Sequence, residues 1–286
     1  MAPFPYRQQR FLRLSLGLGA LVLLLAAGGL WIGRAYRPGA PEPPTAISFP
    51  SPVPTPTPLS TLAALPLAGI RIGIDPGHQL HADRKQEPVA PGSSETKNRV
   101  SSGTRGASSG VPEHEVTLSV GLLLRDLLTA QGAEVFMTRT KADVDISNSE
   151  RAVFFNDYQV DLGIRLHCNG SDDEAVRGAF MLVPADKAYP YYRACQLAAE
   201  KILDAYGQAT GIPTDKGITY RDDQAGFNWC QRPVVNIEMG HLTNPEEERL
   251  LIDTAFQKTM AQGIYNGIFL YFQQSRLESP RLNQQE

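Results

Sequence analysis

Ile70 to His78 read IRIGIDPGH, a short β-branched run that stops at Pro76-Gly77 and leaves a histidine behind it. Such a run predicts a buried strand feeding a turn, with His78 at the strand's carboxyl end. The same arrangement recurs downstream. Val160 to Leu166 (VDLGIRL) predicts a strand that delivers His167, and Pro233 to Glu238 (PVVNIE) predicts one that ends on Glu238. Between the first two, Pro112 suits the first position of a helix that begins at Pro112-Glu113. Its apolar positions Val116, Val120, Leu123, Leu124 and Leu127 follow helical spacing. Ala133 to Thr138 then reads as a strand and Ser147 to Asn156 as a helix.

The order β-α-β-α-β predicts an α/β sandwich: a twisted, largely parallel sheet with helices on both faces. Gly178 to Val183 (GAFMLV) extends the sheet, and Tyr189 to Tyr206 reads as a helix closed by Gly207. Asn244 before Pro245, with Glu247 three residues on, predicts an N-cap with a capping-box partner. A long helix from about Ala255 to Gln273 follows, with Phe256, Met260, Ile264, Ile268 and Tyr271 along one side. Residues 79 to 111, rich in serine and glycine, show no periodicity.

The chain has 286 residues, and its first sixty or so cannot join a soluble core. After a basic tail (1–13, with Arg7, Arg10 and Arg13), Leu14 to Gly33 has no charged residue for twenty positions. As a helix that segment is about 30 Å long, enough to span a bilayer. A cleaved signal peptide would have a shorter apolar stretch and an A-x-A-like site, so a single-pass signal anchor in the cytoplasmic membrane is the expectation, with cleavage and secretion as the alternative. The arginines before the segment favour a cytoplasmic N-terminus, although Arg34 and Arg37 reduce the asymmetry. The remainder is then exported.

Residues 34–66 form the expected linker: from Pro38 to Pro58 nine of 21 positions are proline, favouring an extended spacer of up to roughly 65 Å. A folded domain, 67–275, and a polar tail, 276–286, complete the chain. The net charge of −3, with 27 basic against 30 acidic residues, excludes the basic excess that tracks nucleic acid. Three cysteines (Cys168, Cys195 and Cys230), odd in number and without CxxC spacing, indicate small buried thiols and no disulfide framework or zinc knuckle. Nothing in the sequence sets an oligomeric state.

A lone histidine after a strand is ordinarily a hydrogen-bonding residue. Here His78, His167 and Glu238 all fall at strand ends and Glu113 at a helix mouth, so the four can meet on one rim, where ligands gather in such sheets. Two imidazoles and one carboxylate can bind Zn²⁺ and leave a fourth position for water, while the other carboxylate serves as base. That chemistry suits amide hydrolysis, in which water must be activated, the carbonyl polarised and the leaving amine protonated. Spacing alone does not say which glutamate ligates. His81, Glu87, Glu95 and Glu115 are rival ligands, and His241 a lesser candidate.

The segments IGIDPGH (72–78), EHEVTL (113–118), Thr138-Arg139, DLGIRLHCNG (161–170) and PVVNIEMGHLTN (233–244) resemble, in order, the blocks of the type-3, zinc-dependent N-acetylmuramoyl-L-alanine amidases. The resemblance covers roughly residues 70–272. It implies one zinc ion on His78, Glu113 and His167, and Glu238 as base and then acid. It implies peptidoglycan as substrate, cut between the lactyl group of N-acetylmuramic acid and L-alanine. Gln79 after His78 and the 34 residues before Glu113 depart from the commonest pattern and mark a GHQ-type subset with a long loop. Arg139, Asn169 and Asn228 are candidate substrate contacts, each with a structural alternative: an ion pair for the arginine, turn formation for the asparagines. Two rival functions are another exported zinc peptidase of wall stem peptides and a silent wall-binding module. The chemical identity of the released end separates the peptidase from the amidase.

Overall fold

The computed structural model describes residues 65–282, all within the unit that spans Leu59–Glu286. The expected basic tail and anchor, all but the last two residues of the expected linker, and the final four residues lie outside the described residues. Among the described residues no helix is long and apolar enough to cross a membrane.

Six strands form the main sheet: β1 (Arg71–Pro76), β4 (Glu134–Met137), β5 (Leu162–Asn169), β6 (Phe180–Pro184), β7 (Ile218–Arg221) and β8 (Val234–His241). Their spatial order is β4-β1-β5-β8-β6-β7. All neighbours run parallel except β6 against β8. From β1 the chain crosses through α1 (Glu113–Ala130) to β4 on one side, then through α2 (Asn148–Asp157) to β5 on the other. The order therefore reverses at β1, and such a switch point opens a crevice at the carboxyl ends of β1 and β5.

The two faces of the sheet are distinguished residue by residue, because side chains alternate along a strand. Ile72 and Ile74 of β1, Leu162, Ile164, Leu166 and Cys168 of β5, and Val235, Ile237 and Met239 of β8 belong to one core. It is covered by α1, α3 (Tyr192–Thr210) and α6 (Thr254–Leu282). On the other face a smaller core holds Ala152 and Phe155 of α2, Phe180, Leu182, Val234, and Phe227 of α4 (Ala225–Asn228). A side chain at Gly73 or Gly163 would collide with the Phe155 ring, so these glycines let α2 lie close to the sheet.

The structure departs from the sequence expectations in several places. Residues 79–111 contain a hairpin, β2 (Asp83–Pro88) and β3 (Thr96–Val100), antiparallel and separate from the main sheet. β7 and α4 were also without a sequence signal. Pro112 is the cap before α1 and not its first residue. α3 runs past Gly207 and closes on Gly211, which takes the left-handed conformation. Asn244 does cap α5 (Pro245–Leu251), accepting from the backbone of Glu246 and Glu247. The Glu247 carboxylate does not return to the cap; it accepts from the backbone N–H of Gly178 and His241, 2.7 Å each. α6 extends to Leu282, into the stretch expected as a tail. Cys168, Cys195 and Cys230 are buried free thiols.

Candidate metal centre

His78 follows β1, Glu113 opens α1, and His167 lies within β5, two residues from its end. The three donor atoms form a triangle. His167 Nδ1 is 3.1 Å from His78 Nε2 and 3.1 Å from Glu113 Oε1, and His78 Nε2 is 3.1 Å from the same oxygen. A tetrahedral ion bound at about 2.0–2.1 Å needs donors about 3.3 Å apart, so the triangle has the dimensions of three corners of a zinc site. Among the described residues this is the single group of three or more histidine, cysteine or acidic side chains close enough to share a metal ion.

Surrounding groups fix each donor. His78 Nδ1 lies 3.0 Å from the Ser101 carbonyl, which holds the ring with Nε2 turned inward. Glu113 Oε1 accepts from the Cys168 N–H and Oε2 from the Thr104 N–H, both at 2.9 Å, so the carboxylate is fixed while one oxygen still faces the imidazoles. A Cβ at Gly77 would stand 2.4 Å from the His167 ring, so that ring packs directly on backbone. His78 itself is a non-glycine residue at φ 59°, a strained conformation of the kind that persists where surroundings over-determine it.

The electrostatics agree. Burial opposes charge on Glu113, but His78 and His167 draw its carboxyl below the usual range. Burial also opposes charge on His78, but the Glu113 carboxylate raises it above 6.5. Burial lowers His167 to about 4, which leaves a neutral imidazole suited to ligation.

Glu238 pairs in register with His167 across β5 and β8, hence on the same face of the sheet. It is partly buried, accepts from Asn236 Nδ2 at 3.0 Å, and lines the same cleft as both histidines. Burial, and then the Glu113 charge, push its carboxyl up to about 8. The cleft has a volume of about 250 Å³, and the hairpin adds Glu87, Lys97 and Asn98 to its wall.

The rival ligands fall elsewhere. His81, Glu95 and Glu115 are exposed. Glu87 is buried and accepts from the Ser149 backbone and hydroxyl. His241 is fully buried against Lys216 and Glu247. Arg139 does not reach the cleft: it is 2% exposed and donates to the carbonyls of Pro76, Gly77 and His114, tying the turn after β1 to α1. Asn228 donates to the carbonyls of Val89 and Asp222 and so holds the loop after β2. Asn169 accepts from the N–H of Gly170, the turn reading. None of these three lines the cleft; Arg165, Asn236 and Asn148 do. The first two were within reach of the sequence, since they stand two residues before His167 and Glu238 on strands where every second side chain shares a face.

Comparison with known proteins points to one family. The family model described as N-acetylmuramoyl-L-alanine amidase matches residues 72–269. An N-acetylmuramoyl-L-alanine amidase of Mycobacterium tuberculosis is 30% identical over 221 residues, 73% of this chain and 90% of the relative. A germination-specific N-acetylmuramoyl-L-alanine amidase of Bacillus subtilis is 28% identical over 73% of this chain and 82% of its own length. The crystal structure of the amidase Ami1 from Mycobacterium smegmatis superposes with a TM-score of 0.66 at 28% identity, covering 72% of this chain and 97% of that one. With the family model spanning most of the folded unit, the chain belongs to the type-3 N-acetylmuramoyl-L-alanine amidases, enzymes that act on peptidoglycan.

Proposed function

We propose that the enzyme is zinc-dependent, that His78, Glu113 and His167 hold one zinc ion, and that Glu238 is its base. The observation that carries this reading is the 3.1 Å triangle of donor atoms, with Glu238 in register beside it. When bound, the ion polarises the amide carbonyl and lowers the pKa of water from 15.7 to about 7. Glu238, held by Asn236, accepts the proton of the attacking water and returns it to the departing nitrogen of L-alanine.

The unpaired carboxyl at about 8 describes Glu238 beside an anionic Glu113. A dication held by His78, Glu113 and His167 would draw that value down and leave Glu238 ionised, as a base must be. The apolar segment 14–33 and the proline-rich stretch after it support a location on the outer face of the cytoplasmic membrane, with a cleaved and secreted form as the alternative. Fractionation of expressing cells distinguishes the two.

Digestion of purified peptidoglycan tests the chemistry. With zinc, mass analysis is expected to find intact lactyl-muramic acid and free L-alanine amines, and chelation is expected to abolish release until zinc is restored. New ends within the peptide would identify a peptidase instead. Release that survives exhaustive chelation would overturn the metal assignment.

A further inference from the structure

Asp75 is fully buried at the end of β1 and accepts from two arginines, Arg151 Nη1 at 2.6 Å and Arg165 Nε at 2.9 Å. One carboxylate between two permanent guanidinium charges leaves a net positive charge. Arg151 does not deliver it to the cleft. It is 1% exposed, and its nitrogens donate to Asp75, Gln79 and the carbonyls of Pro76, His78 and Ile146. Arg165 differs. Its Nε is on Asp75 and its Nη2 on Asn148 Oδ1 at 2.9 Å, but Nη1 has no hydrogen-bond partner among the described residues.

Location gives that free nitrogen a role. Arg165 lines the cleft with His78, His167 and Glu238, and alternation along β5 places it on the same face as His167, two residues away. Gly226 packs against it: a Cβ there would overlap Nη1, so only glycine lets α4 close this near the guanidinium, whose side chain keeps 6% of its surface exposed where it lines the cleft. Among the described residues no cleft carboxylate forms an ion pair with it: Glu238 accepts from Asn236, Asp223 is taken by Arg221 and Lys97, and Glu87 accepts from Ser149. A fixed guanidinium edge with an unshared donor and surplus charge fits a carboxylate.

We infer that Arg165 is a specificity residue whose Nη1 binds a free carboxylate of the substrate's stem peptide. The inference rests on the amidase reading, under which the cleft holds a muramoyl-peptide. Stem peptides offer this chemistry from two sources, the α-carboxylate of a γ-linked glutamate at the second position and the carboxylate at the peptide terminus; both are replaced by neutral carboxamides on amidation.

Four synthetic muramoyl-peptides test it: with both carboxylates, with either one amidated, and with both amidated. The zinc-loaded wild-type enzyme is expected to lose roughly ten- to hundredfold in kcat/KM, mostly through KM, when the recognised carboxylate is amidated. The singly amidated substrates identify which carboxylate it is. In Arg165→Gln the preference should vanish, while Arg165→Lys retains part of it; zinc content and thermal melting verify that both variants are folded. Wild-type enzyme that cleaves all four substrates equally overturns the inference without any variant and leaves the amidase reading intact. Cleavage of none overturns both. A preference that survives unchanged in folded Arg165→Gln also overturns it, because another group must then read the carboxylate.

Discussion

At the residue scale, Glu238 is held between opposing demands. Asn236 supports its ionised form, while burial and the Glu113 charge disfavour it and raise the carboxyl from 4.5 to about 8 in the metal-free protein. A carboxyl raised on folding contributes stability that is complete below the unfolded value and is lost as pH rises through the folded one. Chelated wild-type enzyme is therefore expected to lose stability between about pH 4.5 and 8 relative to Glu238→Gln, by on the order of a few kcal/mol, read as a falling melting temperature. The two should agree near pH 4. Parallel melting curves at every pH would refute the burial argument. In the zinc-loaded enzyme the same substitution is expected to lower kcat by roughly 10²–10⁴-fold with unchanged zinc content, since it removes the proton carrier and no ligand. Undiminished turnover would take the base role from Glu238. His78, His167 and Glu238 were legible as a group because each ends, or nearly ends, a buried strand. Choosing Glu113 as ligand over Glu238 needed the resemblance, since nothing in the spacing shows which carboxylate turns inward.

At the scale of elements, the hairpin is the part least legible in sequence and the most involved in holding the site. Its strands DRKQEP and TKNRV are polar and lie outside the main sheet, so they lack the buried face whose alternation would announce them. Side chains from elsewhere hold it: Ser149 of α2 on Glu87, Asn148 on the Arg99 carbonyl, and Trp229 Nε1 on the Pro88 carbonyl. The backbone that leaves it supplies the Ser101 carbonyl to His78 and the Thr104 N–H to Glu113. Between them Gly103 sits at φ +71°, where a Cβ would stand 2.7 Å from Glu113 Oε2 and 2.9 Å from the His78 ring. Gly103→Ala is accordingly expected to weaken zinc affinity about 10- to 100-fold in a chelator competition, by displacing the groups that orient two ligands. Unaltered affinity would mean that the loop only covers the site. The longer helices were legible for the opposite reason. α1 and α6 bury apolar stripes of regular period, and Ser147 caps α2 with a full capping box closed by Glu150.

At the scale of the whole molecule, the candidate site and the larger core occupy opposite faces of one sheet. The proposed ligand His167, the proposed base Glu238 and the cleft arginine share the face of α2 and α4, whereas α1, α3 and α6 build the larger core behind. Glu113, the first residue of α1, joins the site from that side. Within the larger core, α3 and α6 approach so closely that a Cβ at Gly267 would lie 2.3 Å from the Ile202 Cα and 2.7 Å from the Lys201 carbonyl. Both obstacles are backbone, so neither can turn aside, and the helices must separate. Gly267→Ala is expected to destabilise by about 1–3 kcal/mol, although alanine is the better helix former, because overpacking outweighs a propensity gain of roughly 1 kcal/mol. For a domain of this size that is a fall in melting temperature of about 2–12 °C. Because the strain is placed on the far side of the sheet, kcat/KM per folded, zinc-loaded molecule should stay within about twofold of wild type, as expected for distant, independent sites. A folded variant that melts normally would show that the helices have room to part. One that loses activity at full zinc occupancy would show that the two faces are mechanically coupled through β5 and β8.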